Sequence, residues 1–470
     1  MLVIKLKDND YQGISYRIFR NKEGLSFSEL DEDEKKHIRN ALDSFNNISI
    51  NELEERGAII FPSKPVEKDL NDKDKIVFYV QGLESDKPII KTSNIMGFFS
   101  YKNVVQFEIT SRFDKDERQF FLHYMLQKVC GVAPTVELAQ AGKNPFYEFF
   151  VYLFPTFLNR AIVQGLFRTY VKREYNDSNI SGVIDFPRHF RYNIPFNGKV
   201  AYRTREYSQD NYVTQLIRHT IEYIAENQNL KSILSCDEEM RVAVKAIRGC
   251  TGTYTRNSRF FIVNKNLKTL FHPYYIDYEP LRKLCVMILT HNKMSYSTSN
   301  EKLINGIFFD GASLWEEYLN TVLNGLGVPV EHPNNRMKTR KYYLFKHRIG
   351  MIFPDFIIES ISDNNKPIIA DAKYKHLEGA NISREDYFQV LSYMFRFKSE
   401  HGLLLYPCSG NVAEPDKTLY LADYNNEVDL SVLGFEIPEY AAKYQDYIER
   451  MGYSEVGFIN KIKEVIAPKS

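Results

Sequence analysis

The chain lacks a phosphate-cradling glycine loop: G-x-x-x-x-G-K-[ST] occurs nowhere, and Gly142-Lys143 has neither the upstream glycine nor the following hydroxyl. Nucleotide binding and hydrolysis by this chain are therefore not expected, and any motor must be a second protein. Cysteine is scarce. The five present (Cys130, Cys236, Cys250, Cys285 and Cys408) are scattered, with no CxxC pair. That argues against a zinc site or a disulfide framework and fits reduced thiols in the cytoplasm. No run of 18 apolar residues exists, so no membrane span is expected. The N-terminus, in which Leu2, Val3 and Ile4 alternate with lysines, is too short and polar for a signal peptide. Charge of one sign is not in excess either: 61 basic against 60 acidic residues give a net charge of +1. Any contact with nucleic acid must then come from local patches.

What is present suits a large folded protein. The 470 residues allow about three domains, and 44% hydrophobic with 26% charged residues is ordinary for a globular chain. With 32 Tyr and 33 Phe beside a single Trp, the chain is aromatic-rich, which argues against disorder. Residues 1–130 read as β-rich, with strand candidates at Leu2 to Lys7, Lys75 to Val80 and Val104 to Ile109. An acidic helix is expected from Asp31 to Leu42, as a solvated face, and a helix with an apolar face from Glu117 to Val129. Residues 131–300 read as mostly helical. Pro145 to Tyr175 forms a long helical pattern that Pro155 should kink or split, and further helices are expected at Asp210 to Asn227 and Asp237 to Arg248.

Two basic stretches stand out. From Arg160 to Arg205, nine Lys or Arg face three acids, interleaved with Phe167, Tyr170, Phe186, Phe190 and Tyr192. Such a mix can track a nucleic-acid backbone, although aromatics at helical spacing are more often core. The second stretch holds Arg336, Lys338, Arg340, Lys341, Lys346 and Arg348, with Glu331 the nearby acid. It precedes the acidic motif described next, and phosphate contact is expected of it.

Residues 301–470 carry the chemistry. Pro354-Asp355 leads into the short apolar strand Phe356-Ile357-Ile358. Ser362 to Pro367 supplies turn residues, and Ile368 to Tyr374 reads as a second strand. Side chains alternate along a strand, so Asp371 and Lys373 share a face, and a hairpin would bring Asp355 beside Asp371. Two carboxylates can hold Mg²⁺, with Mn²⁺ as the alternative, and the Ala372 carbonyl is a further candidate ligand. Such an ion activates water against a phosphodiester, and Lys373 can orient that water or stabilise the developing charge.

Upstream, Leu314, Trp315, Tyr318 and Leu319 recur at helical spacing as a core face, which makes Glu316 a third acidic candidate and Glu317 its solvated competitor. Downstream, Gln389 and Tyr393 fall four apart on one helix face and are expected, with Arg336, Lys338, Arg340 and Lys341, to contact DNA. Helix, two strands bearing acids and lysine, then helix and strand is the layout of a PD-(D/E)xK nuclease core. As a bare pattern, a surface hairpin with solvated Asp and Lys would read the same.

The chain resembles the McrC family, the nuclease subunits of McrBC-type restriction systems, including the McrC-like subunit of LlaJI-type systems. Leu314-Trp315-Glu316, Pro354-Asp355, Asp371-Ala372-Lys373-Tyr374-Lys375 and Gln389 with Tyr393 carry it. Further echoes are Ile109-Thr110-Ser111-Arg112-Phe113, Gly165 to Tyr170 and Ser181 to Asp185. The resemblance implies that the N-terminal region docks on an AAA+ GTPase, McrB, and stimulates its hydrolysis. McrB would read the DNA, often at modified cytosine, and translocation would precede double-strand cleavage within a hetero-oligomer. Expected, then, is a multidomain α+β chain: a β-rich partner-interaction domain, a helical linker and DNA-contact domain, and an α/β nuclease core. Two other classes fit the residues: a PD-(D/E)xK nuclease of repair or transposition, alone or with another partner, and a non-catalytic assembly factor. A neighbouring AAA+ gene would separate the first, and metal-dependent cleavage by the reconstituted complex would exclude the second.

Overall fold

A computed structural model describes the chain apart from residues 62–75, 132–144, 291–304, 334–340, 360–365, 377–381, 410–415, 423–427 and 467–470, and positions 1, 15–16, 21–22, 57, 86, 103, 116–117, 229 and 269. It is a mixed α+β protein in two compact units, Met1–Gln140 with Ser295–Ser470, and Ala141–Met294. Among the described residues no helix is long and apolar enough to cross a membrane.

In the first unit a seven-stranded sheet runs, edge to edge, through Glu23–Leu25, Ile18–Arg20, Leu2–Lys7, Val105–Thr110, Ile95–Tyr101, Asn305–Asp310 and Ile59–Phe61. Alternation sets its inner face: Leu2, Ile4 and Leu6 are buried, while the intervening Val3, Lys5 and Lys7 are half-buried. The helix Glu32–Phe45 covers that face with Ile38, Ala41, Leu42 and Phe45, and its acidic first turn is capped reciprocally by Asp31 and Glu34. The phenyl rings of Phe99 and Phe107 stack with centroids 4.8 Å apart at its centre.

Sequence order suggests a cut near 300, but Asn305–Asp310 sits inside this sheet, antiparallel to Ile95–Tyr101 and parallel to Ile59–Phe61. Residues on either side of the helical middle therefore fold as one body.

The same unit holds a six-stranded sheet ordered Val330–Glu331, Phe356–Ile358, Ile368–Ala372, His401–Ser409, Asp429–Ile437, Lys417–Tyr420. Three central strands run parallel, and Ile368 to Asp371 are buried, as expected for strands covered on both faces. Arg384–Phe397 makes the crossover between Ile368–Ala372 and His401–Ser409, and Tyr444–Ile466 and Gly311–Leu323 complete the cover.

The helix Gly311–Leu323 joins the two sheets. Leu314, Trp315, Tyr318 and Leu319 are all fully buried, as their spacing predicts. Truncating a buried aromatic such as Trp315 costs about 3–5 kcal/mol. Gly311 is required by a close approach, since a Cβ there would lie 2.7 Å from the Tyr374 ring and 2.9 Å from the Asn94 carbonyl. Tyr124 and Tyr318 both donate to Glu455 Oε1 at 2.9 Å, with Lys128 on the other oxygen at 2.9 Å.

The second unit is less purely helical than its sequence suggests. The helix beginning at Pro145 runs through Pro155 but stops at Val163. Gly165 then turns the chain at a φ of +88°, and Thr169–Asp177 is a strand. That strand pairs antiparallel with Val200–Ser208, which also carries Val183–Ile184. Tyr212–Glu226 and Glu238–Cys250 are helices as expected, capped by the side chains of Asn211 and Asp237. Of the interleaved aromatics only Phe167 is core; Tyr170, Phe186, Phe190 and Tyr192 are exposed. The basic residues around them are partly spent on ion pairs, Arg203 with Asp185 at 2.6 Å and Arg188 with Glu174 at 3.4 Å.

Candidate active site

Phe356–Ile358 and Ile368–Ala372 pair antiparallel, with Phe356 opposite Ala370 and Ile357 opposite Ile369. The next pair outward in that register is Asp355 and Asp371. The Ala372 N–H donates to Asp355 Oδ2 at 2.8 Å, which fixes the first carboxylate against the second strand. Burial, then the charge of Asp371 and then that of Glu316, push the Asp355 carboxyl well above the usual carboxylate range. Asp371 is 1% exposed, and burial raises its carboxyl too, against the opposing pull of Lys373. Two acids that repel each other in a poorly solvated place call for a cation.

Lys373, on the same strand face as Asp371, brings its Nζ to 2.5 Å from Asp371 Oδ2. It also donates to Gln389 Oε1 at 2.8 Å, and Gln389 in turn donates to the Tyr393 hydroxyl at 2.8 Å. The helix Arg384–Phe397 thus aims the lysine, through the two side chains that its four-residue spacing singles out. Burial works against the charge on Lys373, but Asp371 outweighs it and holds the ammonium above its ordinary value. Asp386, at the start of that helix, lies 3.9 Å from the same ammonium, pairs with Lys375 and accepts from the Tyr406 hydroxyl at 3.0 Å. Sequence reasoning gave Asp386 no part in the site.

Glu316 is half-buried and enters from the helix Gly311–Leu323, close enough for its charge to act on Asp355. Glu317 is not the solvated competitor that helix register suggested. Its side chain is half-buried like that of Glu316, because His332 draws both inward: the imidazole Nε2 is 3.6 Å from Glu316 Oε1 and 3.8 Å from Glu317 Oε1. Burial disfavours protonation of His332, but the neighbouring carboxylates of Glu317 and Glu316 raise it above its ordinary value. No spacing motif marked His332; its one local signal is the place after an edge strand and before Pro333.

Among the described residues, no three His, Cys, Asp or Glu side chains gather closely enough to enclose a metal ion by themselves. The donors that do gather are hard oxygens, Asp355 and Asp371 opposite each other with Glu316 nearby. They fit an ion such as Mg²⁺, which keeps several waters and accepts few protein ligands, and they do not fit a fully chelated zinc.

Of the nearby basic candidates, Arg336, Lys338 and Arg340 lie outside the described residues. Lys341 is exposed at the foot of the hairpin Tyr342–Phe345 and Ile349–Ile352, and Lys346 and Arg348 are exposed at its tip. The hairpin is held to the crossover helix by Arg396 Nε donating to the Tyr343 carbonyl at 2.6 Å and by the rings of Tyr342 and Phe397 at 5.0 Å.

Beyond the site, Ser111 Oγ meets the Tyr374 hydroxyl at 2.8 Å, and Arg112 donates to the Tyr374 carbonyl while its guanidinium lies 4.7 Å over the ring. Arg112 Nη1 also pairs with the fully buried Asp8 at 3.7 Å. The residue after Lys373 is in this way pinned to the N-terminal sheet.

The structure is similar to a solved assembly of Thermococcus gammatolerans McrB AAA+ hexamers with bound McrC, at 16% identity and a TM-score of 0.53, covering 99% of this chain and 100% of that one. A second solved structure, a McrBC complex from the same organism, matches at 17% identity and a TM-score of 0.32, covering 69% of this chain and 88% of that one. No curated protein sequence matches. The family described as McrBC 5-methylcytosine restriction system component matches residues 90–407, which include every acid of the site, and the chain belongs to that family.

Proposed function

We propose that the chain is the nuclease subunit of a McrBC-type restriction complex, a Mg²⁺-dependent enzyme that hydrolyses DNA phosphodiester bonds on a PD-(D/E)xK core. The observation that carries this reading is the convergence of Asp355, Asp371 and Lys373, with Lys373 Nζ 2.5 Å from Asp371 Oδ2 at the end of a strand buried on both faces. Asp355, Asp371, the Ala372 carbonyl and Glu316 would hold Mg²⁺ or Mn²⁺. When bound, such an ion supplies Lewis acidity toward the phosphate and a water of lowered pKa.

The chain's own residues do the rest. Lys373 is kept charged by Asp371 and aimed by Gln389, so it can orient the attacking water and stabilise charge on the phosphoryl oxygens. Tyr393 holds Gln389 in place, so both residues bear on DNA through the lysine they position. Lys341, with Arg336, Lys338 and Arg340 in the preceding segment, would meet the phosphate backbone of double-stranded DNA.

The solved relative is an assembly of McrB AAA+ hexamers with bound McrC. That likeness supports assembly with an AAA+ partner into a hetero-oligomer; the proposal adds that the partner is a cytoplasmic GTPase whose hydrolysis this chain stimulates without binding nucleotide itself. The test is a reconstitution with the partner, GTP, Mg²⁺ and DNA. The wild-type complex is expected to cleave, and the Asp371→Ala complex to hydrolyse GTP at the stimulated rate without cleaving. Cleavage at the wild-type rate by Asp371→Ala would overturn the site. Stimulated GTP hydrolysis without metal-dependent cleavage by the wild type would make the chain an assembly factor.

A further inference from the structure

We propose that His332 is a positioning residue that sets the spacing between Glu316 and Asp355, and through it the affinity of the site for a divalent cation. The inference rests on the metal-site reading above and adds a residue to it.

The argument starts from register. Glu331 pairs with Ile357 on the edge of the six-stranded sheet, so the following residue, His332, lies beside Phe356. Its ring stacks on the Phe356 ring, with centroids 5.0 Å apart and planes inclined by 28°. Imidazole Nδ1 is 2.8 Å from the Asp355 carbonyl oxygen. A carbonyl can only accept, so Nδ1 carries the proton and donates. The opposite nitrogen then has a fixed direction, and in that direction stand Glu316 and Glu317, at 3.6 and 3.8 Å.

A rigid five-membered ring, 9% exposed at its side chain, thereby bridges two elements that share no hydrogen-bond ladder: the strand end that carries Asp355 and the helix that carries Glu316. A histidine kept only for packing would need the Phe356 face and one acceptor. Here one edge is hydrogen-bonded to the backbone of a candidate ligand, and the other faces the carboxylates of Glu316 and Glu317 at ion-pair distance. Outer-shell groups that orient ligating carboxylates typically change metal affinity by about 10–100-fold when removed.

The experiment measures Mn²⁺ binding to the full-length chain by titration calorimetry, and in parallel the Mg²⁺ dependence of DNA cleavage by the reconstituted complex. His332→Ala is expected to weaken Mn²⁺ binding by about 10–100-fold, to shift the Mg²⁺ requirement upward by the same factor, and to recover most of the cleavage rate at saturating metal. His332→Asn keeps a donor for the Asp355 carbonyl but withdraws the ring from Glu316. It is expected to fall between wild type and His332→Ala. In a Glu316→Gln background the effect of His332→Ala should shrink, because its target has lost its charge.

A His332→Ala chain with wild-type Mn²⁺ affinity overturns the inference. If that variant fails to fold, a folded His332→Asn chain with wild-type affinity overturns it equally. Strict additivity of His332→Ala with Glu316→Gln also does so. A wild-type chain that binds no Mn²⁺ overturns the metal-site reading and this inference together, whereas a wild type that binds, with Asp371→Ala that does not, leaves His332 as the variable under test.

Discussion

Asp355→Asn should separate stability from activity. The side chain keeps its shape, and its oxygen can still accept from the Ala372 N–H now bonded at 2.8 Å. What it loses is a charge facing Asp371 across the strand pair. Directly opposed residues have Cβ atoms about 5 Å apart, and two unit charges at that distance repel by about 3 kcal/mol at an effective dielectric constant near 20. That figure is an upper bound, because Asp355 in the metal-free protein can escape by taking up a proton. The sign of the pH effect follows. A carboxyl whose folded-state pKa is raised favours folding at low pH, and this contribution is lost as pH rises through the folded-state value.

Metal-free Asp355→Asn is therefore expected to melt at or a few degrees above wild type at pH 8, since about 3 kcal/mol moves the Tm of a large domain by no more than several degrees. It should show less loss of stability with rising pH. Millimolar Mn²⁺ should raise the Tm of the wild type and leave that of the variant unchanged, and cleavage should fall by about a hundredfold or more. Scanning fluorimetry at several pH values, with and without Mn²⁺, makes the comparison. A variant that melts well below wild type without metal, or that keeps both the Mn²⁺ shift and the cleavage, would refute the electrostatic account.

Lys373→Ala should lose about a hundredfold or more in cleavage while Mn²⁺ binding survives, because it removes the stabilising charge and no ligand; single-turnover rates and calorimetry check this. Glu316→Gln should impair Mg²⁺-supported cleavage more than Glu317→Gln, since the charge of Glu316 acts on Asp355; equal effects in a metal titration would reduce the helix to packing. Burial, opposed by Arg112, pushes the Asp8 carboxyl up to about 6, so its contribution to stability is present below the unfolded value of 3.8 and lost as pH rises through 6. A rise of that size corresponds to about 3 kcal/mol, which denaturant midpoints should show wild type losing between pH 4 and 7 and Asp8→Asn not losing.

The candidate site was readable because its parts are local. Pro354-Asp355, a turn and Ile368 to Lys373 lie within twenty residues, and period-two alternation alone puts Asp371 and Lys373 on one face. The register of Gly311–Leu323 was equally plain, four large apolar residues at helical spacing all ending in the core. What escaped depends on distance along the chain. Asn305–Asp310 was not singled out as a strand, and nothing local says that its neighbours are Ile95–Tyr101 and Ile59–Phe61, some two hundred residues earlier. Thr169–Asp177 was hidden by the apolar helix before it, whose periodicity carries past Gly165 on paper. Glu317 was misplaced because helix register knows nothing of His332, which arrives from another element.

The strand Asn305–Asp310 has a consequence for how the protein is made. On the ribosome, Ile95–Tyr101 emerges long before the strand that completes its outer edge, and its pairing groups stay open while the whole of Ala141–Met294 is synthesised. Ile307, Phe308 and Phe309 then arrive as an already apolar plug for that gap. A chain begun near residue 300 would display those three side chains to water, and a chain stopped before 305 would leave a sheet edge free to pair with another copy. Truncations at the apparent domain borders are thus expected to aggregate, and excision of Ala141–Met294, which leaves both halves of the sheet on one polypeptide, is the cut that respects the fold.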